Sequence, residues 1–174
     1  MPELVADYPR PPALVESAEQ VRVEALGQLL CETGRSLRVL ETFHPPTYYL
    51  PPQAVRQELL QPSPGSSYCE WKGLARYFDL VLDLVLDPTA SAGARPVERR
   101  LRRAVLRRAV WTYPEPSEAF AALAGWFAVY PALMDGCWVD GELVTPQPGG
   151  FYGGWITSKV AGPFKGDPQH PELR

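Results

Sequence analysis

The chain has 174 residues, 45% of them hydrophobic, and a formal net charge of −3. This length suits a single domain with one sizeable hydrophobic core. The acidic balance argues against a global field that would attract nucleic acid or an anionic membrane. The 20 prolines and 14 glycines favour short strands and many turns over long helices.

Three cysteines lie far apart, at positions 31, 69 and 137, and none belongs to a CxxC pair. Such an odd, scattered set fits a disulfide framework poorly, so a reducing, cytoplasmic location is predicted. The first residues show no basic region followed by an apolar stretch, and no signal peptide is expected. The longest apolar run, near residues 80–86, is interrupted by Asp83 and is too short to span a bilayer, so no membrane association is expected.

Alternating or β-rich apolar patterns predict most of the regular structure. The first two predicted strands form a hairpin around Gly27, and Asp140 and Gly141 are typical of a second hairpin turn. Residues 52–60 predict two helical turns that begin at a proline, and residues 61–67 predict a turn-rich loop. The predicted strands cover residues 21–25, 28–31, 37–41, 48–50, 75–86, 126–130 and 137–139.

The arginine-rich segment 98–111 fits two different structures. Its apolar residues share one face of a basic amphipathic helix, whereas from Val105 to Trp111 they also alternate as they would in a strand. Residues 87–97, before this segment, are predicted as a loop. After it, a short helix is predicted over residues 117–123, with the serine at its start as N-cap.

The chain is divided into three parts by composition. Residues 1–18 are proline-rich and are predicted as an extended N-terminal arm, and residues 19–145 carry the strand patterns of a β domain. Residues 146–174 are rich in proline and glycine and are predicted as a C-terminal tail that packs on the domain through its aromatic residues.

Several of these motifs, in this order and spacing, resemble the bacterial DUF427 family, which is also catalogued under a nucleotidyltransferase-like label. The resemblance runs from about residue 21 to residue 143. In two places the chain departs from the family pattern, because Ala54 stands where the family usually has an acid and the arginine-rich stretch before Trp111 is an elaboration. The residues that carry the resemblance are Leu37, Arg38, Val39, Leu40, Glu41, Thr42, Pro45, Pro46, Tyr48, Tyr49, Cys69, Lys72, Gly73, Ala75, Tyr77, Trp111, Thr112, Tyr113, Pro114, Pro116, Val139, Asp140 and Gly141.

The resemblance implies a mainly β fold of the Mss4-like or β-tent type, with two packed antiparallel sheets and small peripheral helices. It also implies that the segment from Leu106 to Tyr113 is a strand, and we adopt that assignment over the helix there. It does not imply a mechanism, because a fold does not determine a function.

Two segments near predicted strand ends, residues 41–49 and 69–77, concentrate titratable and aromatic side chains. Together they supply a thiol, an ammonium group, carboxylates, an imidazole and phenols. The candidate catalytic residues are Glu41, Cys69 and Lys72. The candidate ligand-binding residues are His44, Tyr48, Tyr49, Tyr77 and Trp111.

These residue types suggest specific chemistry. The Lys72 ammonium could bind a phosphate or carboxylate, and Glu41 could orient that group or act as a base. An ammonium near Cys69 would favour its thiolate, and His44 could serve as its base. The structural alternatives are an ion pair between Glu41 and Lys72, a cysteine that only packs, and aromatic side chains that belong to the core.

Other classes of site find less support. His44 and Cys69 are too few for a zinc site, so no metal is predicted. Six arginines lie between Arg99 and Arg108, but such a run is typical of a solvated face, and nucleic-acid binding is not expected in an acidic chain. The sequence contains no Walker A, GxGxxG, GxSxG or HExxH motif.

The sequence therefore predicts a small anionic ligand in a cleft formed by Glu41, Cys69 and Lys72, either bound only or acted on. One alternative is a non-catalytic module whose arms or arginine-rich face contact a protein partner. Another is a nucleotidyltransferase, which would bind a nucleotide and Mg²⁺. The residues identify no cofactor, and they are compatible with a homodimer.

Overall fold

The computed structural model describes residues 1–85 and 101–173. Within these ranges the fold is mainly β, as predicted, and the helices are short 3₁₀ turns. The strands are β1 (Glu3–Leu4), β2 (Ala13–Ser17), β3 (Val21–Ala25), β4 (Gln28–Thr33), β5 (Ser36–Leu40), β6 (Thr47–Tyr49), β7 (Leu60–Cys69), β8 (Gly73–Val85), β9 (Leu101–Thr112), β10 (Phe127–Val129), β11 (Gly136–Val139), β12 (Glu142–Leu143), β13 (Thr145–Pro146), β14 (Trp155–Ile156) and β15 (Val160–Ala161). The 3₁₀ helices are Val5–Asp7, Pro52–Ala54, Gln57–Leu59, Glu118–Leu123, Pro131–Leu133 and Pro171–Leu173.

The strands form three main antiparallel sheets. Their strand orders are β12-β11-β3-β4, β10-β9-β8-β7 and β2-β5-β6. Strand β2 adds the N-terminal residues to the edge of the third sheet by pairing with β5, and β1 pairs in parallel with β15 near the C-terminus. Strands β13 and β14 pair with each other, and the N–H of Trp155 in β14 donates to the carbonyl of Pro46, just before β6, at 2.8 Å. Backbone hydrogen bonds therefore join both end segments to the third sheet.

A short backbone bridge joins the second and third sheets. The N–H of Leu50, just after β6, donates to the carbonyl of Phe127 in β10 at 2.7 Å, and the N–H of Phe127 donates back to Leu50 at 3.0 Å. The strands β2-β5-β6 and β10-β9-β8-β7 thereby form one extended surface, which we call the joined sheet.

The two faces of the joined sheet contribute to two different hydrophobic clusters, because successive side chains in a strand point to opposite faces. Tyr48 packs in the first cluster and Tyr49 in the second; Val110 and Trp111 divide in the same way. The first cluster also contains the inward side chains of β3, β4 and β11, so it fills the space between the joined sheet and the sheet β12-β11-β3-β4. The second cluster lies on the opposite face and contributes the walls of the candidate site.

Most of the predicted strands are confirmed, including the hairpin of β3 and β4 around Gly27 and the turn between β11 and β12. The prediction of a loop over residues 61–67 was wrong, since these residues belong to β7. Strand β7 lies at the edge of its sheet, where prolines are tolerated because no neighbour needs their missing donors. The pairing with β8 shifts between Pro62 and Ser66, where the chain bulges.

The amphipathic helix that remained predicted for residues 98–105 was also wrong wherever the structure describes it, because β9 begins at Leu101. Residue 86 of the predicted strand 75–86, the predicted loop over residues 87–97 and residues 98–100 lie outside the described residues. Strand β9 pairs along its length with β8, and this pairing includes a cross-strand ion pair of 2.9 Å between Arg103 and Asp83. The strand assignment implied by the family resemblance is therefore correct for residues 106–112, and the strand continues further towards the N-terminus.

The short helix predicted after Ser117 is present as the 3₁₀ helix Glu118–Leu123, with a break at Phe120. Ser117 does not cap it through its side chain. Its hydroxyl instead donates to the carbonyl of Trp71 at 2.6 Å, which connects this helix to the turn between β7 and β8.

Candidate functional site

A cavity of about 190 Å³ lies on the face of the joined sheet that carries the second cluster. Side chains of β5, β6, β8 and β9 form one wall. The loop after β5, the turn between β7 and β8, and the segment 147–153 complete the enclosure. The lining residues are Val39, Glu41, His44, Thr47, Tyr49, Lys72, Tyr77, Trp111, Tyr113, Tyr130, Gln147, Phe151, Tyr152 and Gly153.

The structure brings together six of the eight candidate residues predicted from the sequence. The two segments predicted to carry the chemistry meet at this cavity because the end of β5 and the start of β8 lie on the same side of the joined sheet. The six are Glu41, His44, Tyr49, Lys72, Tyr77 and Trp111. Cys69 and Tyr48 do not line the cavity.

Glu41 belongs to a hydrogen-bonded chain that continues into the C-terminal segment. The His44 Nε2 lies 2.9 Å from a Glu41 carboxylate oxygen. The Gln147 Nε2 lies 3.1 Å from His44 Nδ1 and donates to the Lys165 carbonyl at 2.9 Å, while the Gln147 Oε1 accepts the N–H of Gly154 at 3.1 Å. These backbone partners fix which end of the Gln147 amide faces the imidazole.

The orientation of Gln147 determines the protonation pattern of His44. Because the amide nitrogen of Gln147 is a donor, Nδ1 of His44 must accept, and the imidazole proton lies on Nε2. That proton is donated to Glu41. The hydrogen bond from His44 is the largest cause that lowers the pKa of Glu41 below its ordinary value, and the positive charge of Lys72 adds to it against the opposing effect of burial. Glu41 is therefore an anion at neutral pH, and its carboxylate already accepts a hydrogen bond within the protein.

Lys72 lies in the turn between β7 and β8, and its backbone is fixed by contacts on both sides. Its carbonyl accepts the N–H of Ser117 at 3.0 Å, and Gly73, which follows it, has φ +106°, a conformation that favours glycine. The Lys72 ammonium lies 5.7 Å from the centre of the Tyr113 ring. Within residues 1–85 and 101–173, the ion pairs include no partner for Lys72, so the predicted alternative of a Glu41–Lys72 ion pair is not formed.

Aromatic side chains supply most of the remaining wall. The indole N–H of Trp111 donates to the Tyr49 hydroxyl at 3.2 Å, and the rings of Trp111 and Tyr130 are 4.6 Å apart. Burial raises the pKa of Tyr49 and of Tyr113 above the ordinary tyrosine value. Burial, followed by the charge of Tyr77, raises the pKa of Tyr130 to about 12. These phenols are therefore neutral at physiological pH and can donate hydrogen bonds.

The two candidates outside the cavity have other partners. Cys69 is the last residue of β7 and packs, half-buried, against the second cluster. The structure does not bring His44 to it, because both ring nitrogens of His44 contact other residues. Tyr48 points to the opposite face of β6, where its hydroxyl donates to Glu19 at 2.8 Å and its ring lies 4.7 Å from that of Trp155.

The sequence analysis missed the segment that covers the cavity. Gly153 lies directly against the Trp111 indole, where a Cβ atom would overlap the ring. The available signal was the pair of aromatic residues 151 and 152 between glycines, which was interpreted only as an anchor of the tail. The lining residues that were not predicted are Val39, Thr47, Tyr113, Tyr130, Gln147, Phe151, Tyr152 and Gly153.

Two further properties concern metals and membranes. Among the residues that the structure describes, no three His, Cys, Asp or Glu side chains are grouped so as to hold a metal ion. A search of the same residues for a helix long and apolar enough to cross a membrane finds none.

Residues 13–140 match the family described as a domain of unknown function, DUF427. The chain belongs to the DUF427 family. The match confirms the resemblance predicted from the sequence, and it begins early enough to include β2. No curated protein matches the chain. In this DUF427 protein the covering residues from Gln147 to Gly153 lie beyond the matched part, so the family region builds most of the cavity and the C-terminal segment completes it.

The first prediction concerns Glu41 and acid. A carboxyl whose pKa is lowered by folding stabilises the native state above its unfolded pKa of about 4.3, and this contribution is lost as the pH falls through the folded value. Glu41→Gln in this DUF427 protein should cost about 1 kcal/mol at pH 7, because a neutral acceptor replaces a charged one. Urea unfolding should show the difference from wild type shrinking between about pH 5 and pH 3. A difference that stays constant over that range would contradict the assignment.

The second prediction concerns the cysteines. Burial, with the charge of Glu32 as the second cause, raises the pKa of the Cys31 thiol to about 12, and burial also raises that of Cys137. The thiolate is the reactive form, so native alkylation followed by peptide mass spectrometry should label Cys69 well before the other two. In denaturant all three should react alike. Native labelling of Cys31 or Cys137 at the rate of Cys69 would contradict the packing.

The third prediction compares two glycines in the covering segment. Gly153→Ala should destabilise the protein by about 1–3 kcal/mol, because the new methyl group overlaps Trp111. It should also shift the indole N–H resonance of Trp111 in an NMR spectrum. Gly150→Ala is the matched control, since no atom lies within 4 Å of its Cβ position. Equal effects of the two substitutions would show that the segment does not pack on Trp111.

Proposed function

We propose that this protein binds a small organic anion in the cavity, with the Lys72 ammonium as its charged partner. The supporting observation is that the two charged groups at the cavity differ in their partners. Glu41 has its partner in His44, whereas the ion pairs of the described residues leave Lys72 without one. A half-buried cation without a counter-ion gains most from an anionic ligand.

The aromatic walls are also more suitable for an anion than for a cation. Aromatic rings attract cations to their faces. In this cavity, cationic side chains of the protein already lie over two of the rings, so those rings are not free for a cationic ligand. Lys72 lies over Tyr113, and the Arg108 guanidinium lies 4.0 Å from the centre of the Tyr77 ring. The phenol groups are neutral and can donate to an anion, as the raised pKa values of Tyr49, Tyr113 and Tyr130 require.

The size of the cavity limits the ligand. Its volume of about 190 Å³ lies below the range of roughly 300–1,000 Å³ that is typical for drug-sized ligands. The apolar area is supplied by Trp111, Tyr130 and Tyr152, so the ligand should combine a flat, apolar body with one carboxylate or phosphate group. Benzoate and inorganic phosphate are therefore suitable first probes.

Binding is the part of the predicted function that the geometry supports best. Of the three predicted catalytic residues, Glu41 and Lys72 line the cavity and Cys69 does not. Both nitrogens of His44 are occupied, so we assign the Glu41–His44–Gln147 chain a positioning role. It fixes one wall and connects the covering segment to the loop after β5.

The fourth prediction tests this proposal. Benzoate should shift the Trp111 indole resonance in a saturable manner, and Lys72→Met should weaken its binding by at least about tenfold, because a hydrogen bond to a charged group is lost. Arg76→Met is the matched control: it removes the same charge from the same strand pair, at an exposed residue that does not line the cavity. Inorganic phosphate is titrated in parallel to distinguish carboxylate from phosphate recognition.

The proposal fails if neither probe binds, or if Lys72→Met binds them as wild type does. A calorimetric titration with ATP and Mg²⁺ then separates the alternatives. Binding of ATP only in the presence of Mg²⁺ would support the nucleotidyltransferase class. Absence of heat from all probes would favour the protein-interaction module.

A further inference from the structure

A second groove, of about 520 Å³, lies directly beside the cavity. Four aromatic side chains line both spaces: Tyr77, Tyr130, Phe151 and Tyr152. The groove continues from them between β9 and the C-terminal segment. Because the two spaces share these walls, one ligand can extend from the cavity into the groove.

Two arginines, Arg107 and Arg108, line the groove, and Arg108 has an unusual backbone. Arg108 has φ +50°, which is rare for a residue with a side chain, and it lies opposite the shift in pairing between Phe78 and Leu80 of β8. Its N–H donates to the Asp79 carboxylate at 2.8 Å, which stabilises this bulge. Bulges of this kind redirect side chains and are frequent next to functional sites.

The bulge directs the Arg108 guanidinium onto the shared aromatic wall. The guanidinium lies 4.0 Å from the centre of the Tyr77 ring, and its Nη1 donates to the Pro64 carbonyl at 3.1 Å. A guanidinium has five N–H donors in one plane, so donors remain beyond this single hydrogen bond. The side chain is thus ordered by two contacts and still able to bind an acid at its edge.

Arg107 is exposed and also lines the groove. Further along β9, Arg103 forms an ion pair with Asp83, but the ion pairs within the described parts of the chain include neither Arg107 nor Arg108. Exposed apolar side chains also line the groove. Phe151 is 90% exposed and Leu133 is 42% exposed.

We propose that the ligand is an elongated organic diacid, an inference that rests on the anion-binding function proposed above. One acid group binds Lys72 in the cavity. The apolar body lies along Tyr77 and Phe151, and the second acid group binds Arg107 and the free edge of Arg108 in the groove.

The experiment uses aromatic diacids of increasing length, each compared with its own monomethyl ester. The probes are terephthalate, para-phenylenediacetate and para-biphenyl dicarboxylate. The ester keeps the size of the probe and removes one charge. The ratio of the two dissociation constants, corrected for the two equivalent orientations of the symmetric diacid, therefore measures the second acid group. Titrations follow the Trp111 indole resonance at low ionic strength, where an exposed ion pair is least screened.

After this correction, at least one diacid should bind on the order of threefold more tightly than its ester, the advantage expected of an exposed ion pair. Arg107→Gln should abolish this advantage. Arg102→Gln is the matched control, because it removes the same charge from an exposed position of β9 that does not line the groove. Arg108→Gly should reduce the advantage without unfolding the protein, since glycine readily adopts its positive φ.

The inference is overturned if every diacid binds no better than its ester, or if the advantage survives both Arg107→Gln and Arg108→Gly. The monomethyl esters separate this failure from failure of the proposed function. If the esters bind and depend on Lys72, the anion site stands and only the second acid group is refuted. If neither esters nor diacids bind, both proposals fall.

Discussion

Strands β6, β9 and β10 contribute side chains to both hydrophobic clusters. Because successive side chains point to opposite faces, the alternation along these strands determines which residues enter the main core and which face the cavity. Tyr48 and Val110 face the main core, while Tyr49 and Trp111, one residue further along, face the cavity. A shift of one residue in any of these strands would exchange the two sets. The pairing register of these strands therefore determines which side chains line the cavity as well as which ones form the core. The bridge between Leu50 and Phe127 joins the sheet that contains β6 to the sheet that contains β9 and β10.

Hydrogen bonds then determine which charged side chains at the cavity already have partners in the protein and which can bind a ligand. Gln147 is buried and uses both ends of its amide, so it orients His44, which in turn donates to Glu41. The same residue connects the covering segment to the family region. Lys72 lies opposite, on a turn ordered by Ser117, and the described residues provide it with a ring rather than a carboxylate. The anion-binding proposal follows from this difference between the two charged groups.

Sequence reasoning selected six residues that line the cavity and missed most of its other walls. Glu41, Lys72 and Trp111 could be selected because their types and motif spacing were informative. Tyr48 could not be distinguished from Tyr49, since only the register shows which one faces the cavity. Gln147 was missed because a proline- and glycine-rich segment has no periodicity from which burial can be inferred. The helix predicted at the start of β9 failed because the apolar residues there fit one face of a helix when that segment is taken alone, whereas its pairing with β8 makes it a strand.

The most direct test is to locate a bound anion. Crystals of the protein soaked with para-bromobenzoate would reveal the bromine by anomalous scattering and therefore the orientation of the ring. The account predicts a carboxylate within hydrogen-bond distance of the Lys72 ammonium and a ring among Trp111, Tyr130 and Tyr152, with the bromine directed towards the groove. A carboxylate bound elsewhere, with Lys72 unoccupied at saturating probe, would contradict it.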